Sequence, residues 1–417
     1  MKKLFTISFI SLFIFSCDSD SNLMGPLVCD EGLTDVDGEC TLICDEGYND
    51  VDGECTLICD EGLIEEDDIC VMDCPDITCE EGSVKLWCEC YNIEETDQLI
   101  IIDSGIIGRI PPEIGELINL THLRISDHND IIGEIPVEIG NLTNLTLLNL
   151  SDNNLTGSIP VEIGQLTNLS DGLYLYDNQL TGSIPSDIGS LVNLRILDLD
   201  SNELSGSIPS EIGSLVNLRS LELSDNELSG SIPSEIGNLT NLTSLSLSFN
   251  QLTGSIPSNI VELENLNNLY CTHNNLTGSI PSGIGNLTNL YILFLNDNEL
   301  EGVIPSSIGT LDELDQIHLS NNQLTGEIPL EIGNLTTLQS LSLYNNQLTG
   351  EIPLEIGNLI TLNTLSLSGN QLTGEIPVEI CNQGDSTPTI GNNQLCPPYP
   401  ECISQEDINS QDISNCP

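Results

Sequence analysis

Asp198 and Asp200 stand two residues apart in an alternating segment, and Glu222 occupies the equivalent of Asp198 one repeat later. A strand would set the two aspartates on one face. Paired carboxylates can share a proton in acid–base chemistry, or they can gather negative charge for binding. No activated nucleophile or tuned base accompanies them, so no catalytic residue is assigned and an enzyme is not expected. Arg195 and Arg219, just upstream of these carboxylates, are expected to neutralise them in part. Aromatic residues at equivalent positions supply a second chemistry. Tyr174 and Tyr176 precede the acidic group, Tyr270 and Phe294 follow on adjacent repeats, His318 lies one repeat further, and Tyr344 lies beyond it. Exposed aromatics are enriched at binding surfaces, so the nine residues together are the candidate ligand-binding face. The four histidines, His122, His128, His273 and His318, show no metal-ligand clustering, so neither a metal nor a cofactor is expected on this face. His128 is also the extra residue of one longer unit, where a local bulge is expected.

These residues are positioned by a repeat that runs from Leu99 to Ile380. A leucine-spaced run and an asparagine are followed by Leu-Thr-Gly-x-Ile-Pro-x-x-Ile-Gly-x-Leu, as in NNLTGSIPVEIGQLTNL from Asn153 and NQLTGEIPLEIGNLTTL from Asn322. Its Ile-Pro prolines, from Pro111 to Pro377, recur every 24 residues apart from two steps of 25. A fixed period of this size predicts a solenoid of about 12 units over residues 99–380, each burying its apolar side against its neighbours. In the unit beginning at Leu148, Leu148 and Leu150 alternate with Asn149 and Ser151, which predicts a short strand with the leucines inside and the other two outside. Asn153 and its stacked copies are expected to satisfy backbone groups of buried turns. Gly157 turns the chain, and Pro160 pre-sets a short helical turn carrying Ile163 and Leu166 inward.

The consensus resembles the leucine-rich repeat family, in its 24-residue plant-type subclass, over a dozen units. The resemblance implies an α/β solenoid: a curved superhelix with a parallel inner sheet, a convex side of short 3-10 or irregular turns, and a second short strand near each Leu-Thr-Gly. It also implies recognition of a protein, peptide or glycan through the concave face, by a surface-anchored binding or adhesion protein. Receptor-kinase signalling is not carried over, because neither a transmembrane helix nor a kinase domain is found in the sequence. The alternative function is a structural coat or matrix protein. The hydroxyl ladder Thr156, Thr181, Ser205, Ser229, Thr253 and Thr277 also admits an ice-binding variant, although the ladder breaks at Glu301.

The rest of the chain gives the repeat its setting. Seven Lys and Arg face 65 Asp and Glu, a formal charge of -58, which argues against nucleic-acid binding. Such a surface aids solubility, and it would also attract calcium or a basic partner. Residues 1–17 read as an export signal, with Lys2 and Lys3 before a short apolar stretch. The ending Ile14-Phe15-Ser16-Cys17 resembles a bacterial lipobox, which implies diacylation of Cys17; an ordinary secretory signal is the other reading. The expected location is the outer membrane or cell surface as a lipoprotein, otherwise secreted, with membrane attachment through lipid only.

Cysteines mark the two ends of the chain and predict an oxidising compartment. Residues 18–73 carry a 15-residue acidic repeat with Cys29, Cys44 and Cys59 as first cysteines, Cys74 following at the same spacing, and Cys40, Cys55 and Cys70 as second ones. Pairing within units is simplest, although spacing does not fix connectivity. No Lys or Arg occurs between Asp18 and Val84, so self-repulsion should extend this segment into a stalk. Its Asp-Val-Asp-Gly-Glu motifs resemble the start of a calcium loop, yet Asp-Gly is also an ordinary turn. Residues 74–98, with Cys74, Cys79, Cys88, Cys90 and Trp87, are expected to cap the solenoid, and residues 381–417, with Cys381, Cys396, Cys402 and Cys416, to close its far end. Cys271 replaces a core leucine and should behave as a small hydrophobe.

Overall fold

A computed structural model describes residues 78–126 and 130–416, together with the backbone of six short strands between Leu33 and Met72. The expected export signal and Cys17, the pairings of Cys29, Cys44, Cys59 and Cys74, and the bulge at His128 lie outside the described residues. The chain divides into two compact units, Met1–Asp73 and Cys74–Pro417.

In the second unit, twelve strands form one parallel sheet, in sequence order from Gln98–Ile102 to Thr364–Ser366. Register keeps equivalent residues side by side: Asp198 opposite Glu222, and Tyr270 opposite Phe294. At about 4.8 Å per strand the sheet runs roughly 50–60 Å. The core is one cluster of stacked leucines and isoleucines, nearly all fully buried, with Cys271 in a leucine position and 1% exposed. Burial pushes the Cys271 thiol up to about 12, so it is a packing group rather than a nucleophile. The opposite side of each unit is a short 3-10 turn such as Val161–Gln165, begun by the Ile163 N–H donating to Pro160 C=O at 3.0 Å. Second strands occur near most Leu-Thr-Gly segments and form smaller parallel sheets of two to five strands.

The asparagine ladder joins consecutive units. Asn226 donates through Nδ2 to the carbonyls of Leu199, Leu223 and Ser224 at 3.0–3.3 Å, and its Oδ1 accepts the Leu204 N–H at 3.0 Å. Buried backbone groups of two units are thereby satisfied by one side chain.

One expectation fails on the strand face. Asn149 and Ser151 do not face solvent; they are 8% and 0% exposed, and Asn149 Oδ1 accepts from both the N–H and the hydroxyl of Ser151. Small residues on the concave side are overlaid by their neighbours, and several serve the backbone instead. The Ser224 hydroxyl accepts the Ser248 N–H at 3.0 Å, and the Ser248 hydroxyl accepts the Thr272 N–H at 3.1 Å.

At the start of the solenoid unit, strands Ser83–Leu86 and Glu89–Asn92 form a hairpin, and the Cys79–Cys90 disulfide joins its arms. Leu86 and Val84 are buried in the same core as the repeat leucines, and Trp87 Nε1 donates to the Arg109 carbonyl at 3.0 Å. This hairpin is a fourth copy of the acidic repeat, begun at Cys79 and not at Cys74, where the 15-residue spacing points. Cys79-Glu-Glu-Gly82 matches Cys59-Asp-Glu-Gly62, and Lys85 pairs with Cys90 as Glu65 pairs with Cys70. Cys88 is also disulfide-bonded. In the first unit the three earlier copies form the same antiparallel hairpins, with Val36 opposite Glu39 and Val51 opposite Glu54. In sequence, two residues, Asp-Gly in both, lie between the strands of each of these pairs.

At the far end, the period persists for one partial unit. Gln394–Cys396 pairs with Thr373–Glu375, and Asn393 makes ladder bonds to Leu367 and Leu372. Disulfides Cys381–Cys402 and Cys396–Cys416 close this end around the helix Gln405–Asn409.

Candidate ligand-binding face

Three columns of side chains face the concave side in each unit. They are the residue between the two strand leucines, the residue after the second leucine, and the next residue, which adopts positive φ. The third column reads Asp177, Ser201, Asp225, Phe249, His273 and Asp297 over the middle repeats, with φ of 51° to 56°. Asp, Asn and Ser tolerate this left-handed backbone; a bulky aromatic there is uncommon. Phe249 is held at φ 53°, half-exposed, and stacked on His273 with ring centroids 4.3 Å apart. His273 Nε2 lies 3.6 Å from Asp297. Phe249 and Asp225 lie in this third column, beyond the two that strand alternation defines. An aromatic in a column of short polar residues was the available signal.

The columns enclose an open cleft of about 450 Å³. Asp198, Asp200, Glu222 and Asp225 line its N-terminal end, and Phe249, Tyr270 and Phe294 its C-terminal end, with Tyr176 also contributing. Small side chains, among them Ser246 and Ser248, form the floor between the two ends. Six of the nine expected site residues are therefore brought together. Tyr174 is not part of the lining; its ring lies back over Gly172, where an added Cβ would collide with it. His318 stacks on Phe294 at 4.1 Å and hydrogen-bonds the Ser340 hydroxyl at 3.0 Å. Burial holds its imidazole below the ordinary range, so it serves as a neutral ring beside Phe294. Tyr344 stands apart, its hydroxyl 3.4 Å from Asn321 Nδ2.

Electrostatics in the cleft are one-sided. Burial, together with the charges of Asp200 and Glu222, pushes the Asp198 carboxyl up to about 6, although the Asp200 N–H partly favours its charged form. Asp200 is raised as well, by burial first and also by Asp225 and Glu222. Burial and Glu222 raise the Tyr270 phenol. Arg195 does not neutralise the group as expected. Arg195 turns to Asp171 at 4.0 Å, and the influences acting on Asp198 and Asp200 are burial, hydrogen bonds and other carboxylates. Glu222 is instead fixed by hydroxyls, Ser220 at 2.5 Å and Ser244 at 2.8 Å. Among the described residues, no group of three or more His, Cys, Asp or Glu is arranged to hold a metal ion. On the lateral sheet, Ser205 and Ser229 hydroxyls lie 3.5 and 3.4 Å from carbonyls of the preceding unit, so that ladder is partly engaged within the protein.

Comparisons with known proteins agree with this architecture. A family described as leucine-rich repeat region matches residues 179–293, and the leucine rich repeat itself matches residues 144–166, 289–311, 313–335, 337–359 and 361–383. No curated protein matches the chain. Among solved structures, the ectodomain of the Arabidopsis thaliana receptor kinase GASSHO1/SCHENGEN3, in complex with Casparian strip integrity factor 2, is 41% identical with a TM-score of 0.65. That match covers 72% of this chain and 39% of the receptor chain. The Arabidopsis receptor kinase HAESA, solved with the peptide hormone IDA and the co-receptor SERK1, is 30% identical over 72% of this chain and 58% of its own, with a TM-score of 0.52. The chain thus spans well under two-thirds of either plant ectodomain. A leucine-rich repeat protein of Leptospira interrogans is 35% identical, with a TM-score of 0.53, and the match covers 73% of this chain and 78% of that one. With the repeats, their parallel register and the asparagine ladder all in place, the chain belongs to the leucine-rich repeat family.

Proposed function

We propose that this chain is an exported recognition protein whose solenoid binds a protein or peptide ligand through its concave face. The observation that carries this reading is the cleft, where large aromatic and acidic side chains break an otherwise uniform surface of small polar residues. Peptide complexes of similar plant ectodomains support a ligand of that kind, and disulfides at both ends of the solenoid unit fit an oxidising compartment. Lipid attachment at Cys17, with the acidic repeats as a stalk at a bacterial surface, completes the proposal as an adhesion or capture device. Among the described residues no helix is long and apolar enough to cross a membrane.

The test is capture of ligands from an array of extracellular proteins, peptides and glycans by the full chain. Replacing Tyr270→Ala together with Phe294→Ala removes the edge-to-face pair at 5.4 Å and its contact area, and should weaken capture at least tenfold. The far-ultraviolet spectrum should not change, because both rings lie outside the leucine core. Undiminished capture by the folded variant would place the binding site elsewhere.

A further inference from the structure

The two ends of the cleft differ in chemistry, and together they select a ligand. The charged groups lining it are all carboxylates, contributed by two consecutive strands and the turns that follow them. Two strand steps further along stands Tyr270, with Phe249 on the turn between, so an opening of roughly 10 Å separates Glu222 from the Tyr270 strand. On the floor between them lie the small Ser246 and Ser248. A metal ion would gain nothing from an aromatic wall, and no clustered ligand set is present among the described residues. A flat organic cation gains from both ends: charge-assisted hydrogen bonds to carboxylates, and attraction to the face of an aromatic ring. Guanidinium fits this better than ammonium, being planar, weakly hydrated and able to stack while its edge donates.

We propose that the cleft receives an arginine side chain from an exposed segment of a protein partner. The guanidinium edge pairs with Glu222 and Asp225, and its plane lies against Phe249 or Tyr270. This rests on the reading that the concave face binds a protein or peptide, and it names the side chain selected there. The overall charge of -58 draws any basic molecule toward the protein, so the cleft must be distinguished from that general attraction.

The experiment titrates the full chain, at physiological salt, with a capped nonapeptide carrying a central Arg-Gly-Arg. Its twins carry lysine, or the neutral isostere citrulline, in place of arginine. The arginine peptide should bind at least tenfold more tightly than the citrulline twin and several-fold more tightly than the lysine twin. Glu222→Gln with Asp225→Asn should abolish the preference. Glu327→Gln with Glu351→Gln removes the same charge from exposed positions outside the cleft and should leave the preference intact. Should the first double variant fail to fold, Asp225→Asn alone, set against Glu327→Gln alone, supplies the same comparison. Equal losses from both double variants would reduce the effect to general charge and overturn the proposal, as would failure of the arginine peptide to bind. Citrulline binding as well as arginine, with both lost in Tyr270→Ala/Phe294→Ala, would overturn arginine selection while the binding face stands.

Discussion

Asp198 is the residue at which burial and function pull in different directions. Its carboxyl, about 6 in the folded chain against 3.8 for a free aspartate, keeps a proton over a range where the unfolded chain has already released it. Its neighbours do not reverse this. Asp200 follows its strand, Glu222 and Asp225 lie on the next unit, Tyr174 is its partner on the preceding strand, and Arg195 is engaged with Asp171. A raised carboxyl destabilises the fold once ionised, so its contribution is most favourable below about pH 4 and is lost as pH rises through about 6. Asp198→Asn should therefore raise the urea midpoint at pH 7 relative to wild type while changing it little at pH 4. The many other carboxylates form a background common to both proteins. Parallel pH profiles for the two would show that Asp198 ionises normally in the fold. The acidic and aromatic residues of the first two concave columns were legible from large side chains interrupting a monotonous pattern. Asn149 and Ser151 were misplaced because alternation gives the direction of a side chain and not what lies over it. Phe249 escaped because the third column follows the strand, where period-2 reasoning stops.

The short turn on the convex side shows how one unit dictates the next. At Gly237, an added Cβ would lie 2.6 Å from the Asn259 carbonyl oxygen and 2.7 Å from the Asn259 Cβ, and most glycines of the Ile-Gly pairs meet the following unit in the same way. The glycine is replaced at Val261 and, in the last unit, at Cys381; after Val261 the following unit answers with Gly283, whose added Cβ would meet the Val261 methyl carbons at 3.4–3.5 Å. The helical turn there shortens to Ile284–Asn286. Gly237→Ala should thus cost about 1–3 kcal/mol as an overpacked contact against backbone that cannot move alone. Gly283→Ala, at φ -86° and in ordinary contact distance, should change stability by no more than about 0.5 kcal/mol. Denaturation midpoints of the two variants give the comparison, and equal losses would contradict the packing argument. The period, the inner strand and the turn-setting proline were all readable in sequence. The role of the Ile-Gly glycine was not, since it depends on a carbonyl one unit away and not on local conformation.

For the molecule as a whole, a solenoid in which each unit packs on its neighbours has no single centre, so its stability must be defended at its ends. The C-terminal edge strand Thr364–Ser366 would otherwise offer open backbone groups to another chain. Four contacts cover it: the Leu367 N–H donates to Thr389 C=O at 2.8 Å, the Thr389 N–H donates to Leu365 C=O at 2.9 Å, the Leu365 N–H donates to Asp385 Oδ2 at 2.9 Å, and the Ser366 and Thr389 hydroxyls meet at 2.8 Å. The Cys381–Cys402 disulfide, spanning 21 residues, ties the segment carrying Asp385 and Thr389 to the end of the structure. A loop of that size is worth about 3 kcal/mol. Because coupling passes only from unit to unit, Cys381→Ser with Cys402→Ser should loosen the molecule from that end inward. Amide exchange should quicken first at Leu365 and Leu367, then at Leu341 and Leu343. The amides of Leu221 and Leu245, beside the cleft, should keep their protection under mild conditions, and ligand capture should persist. A uniform rise in exchange along all twelve strands would instead show that the solenoid opens as one cooperative body, with the cap holding the cleft as firmly as it holds its own edge.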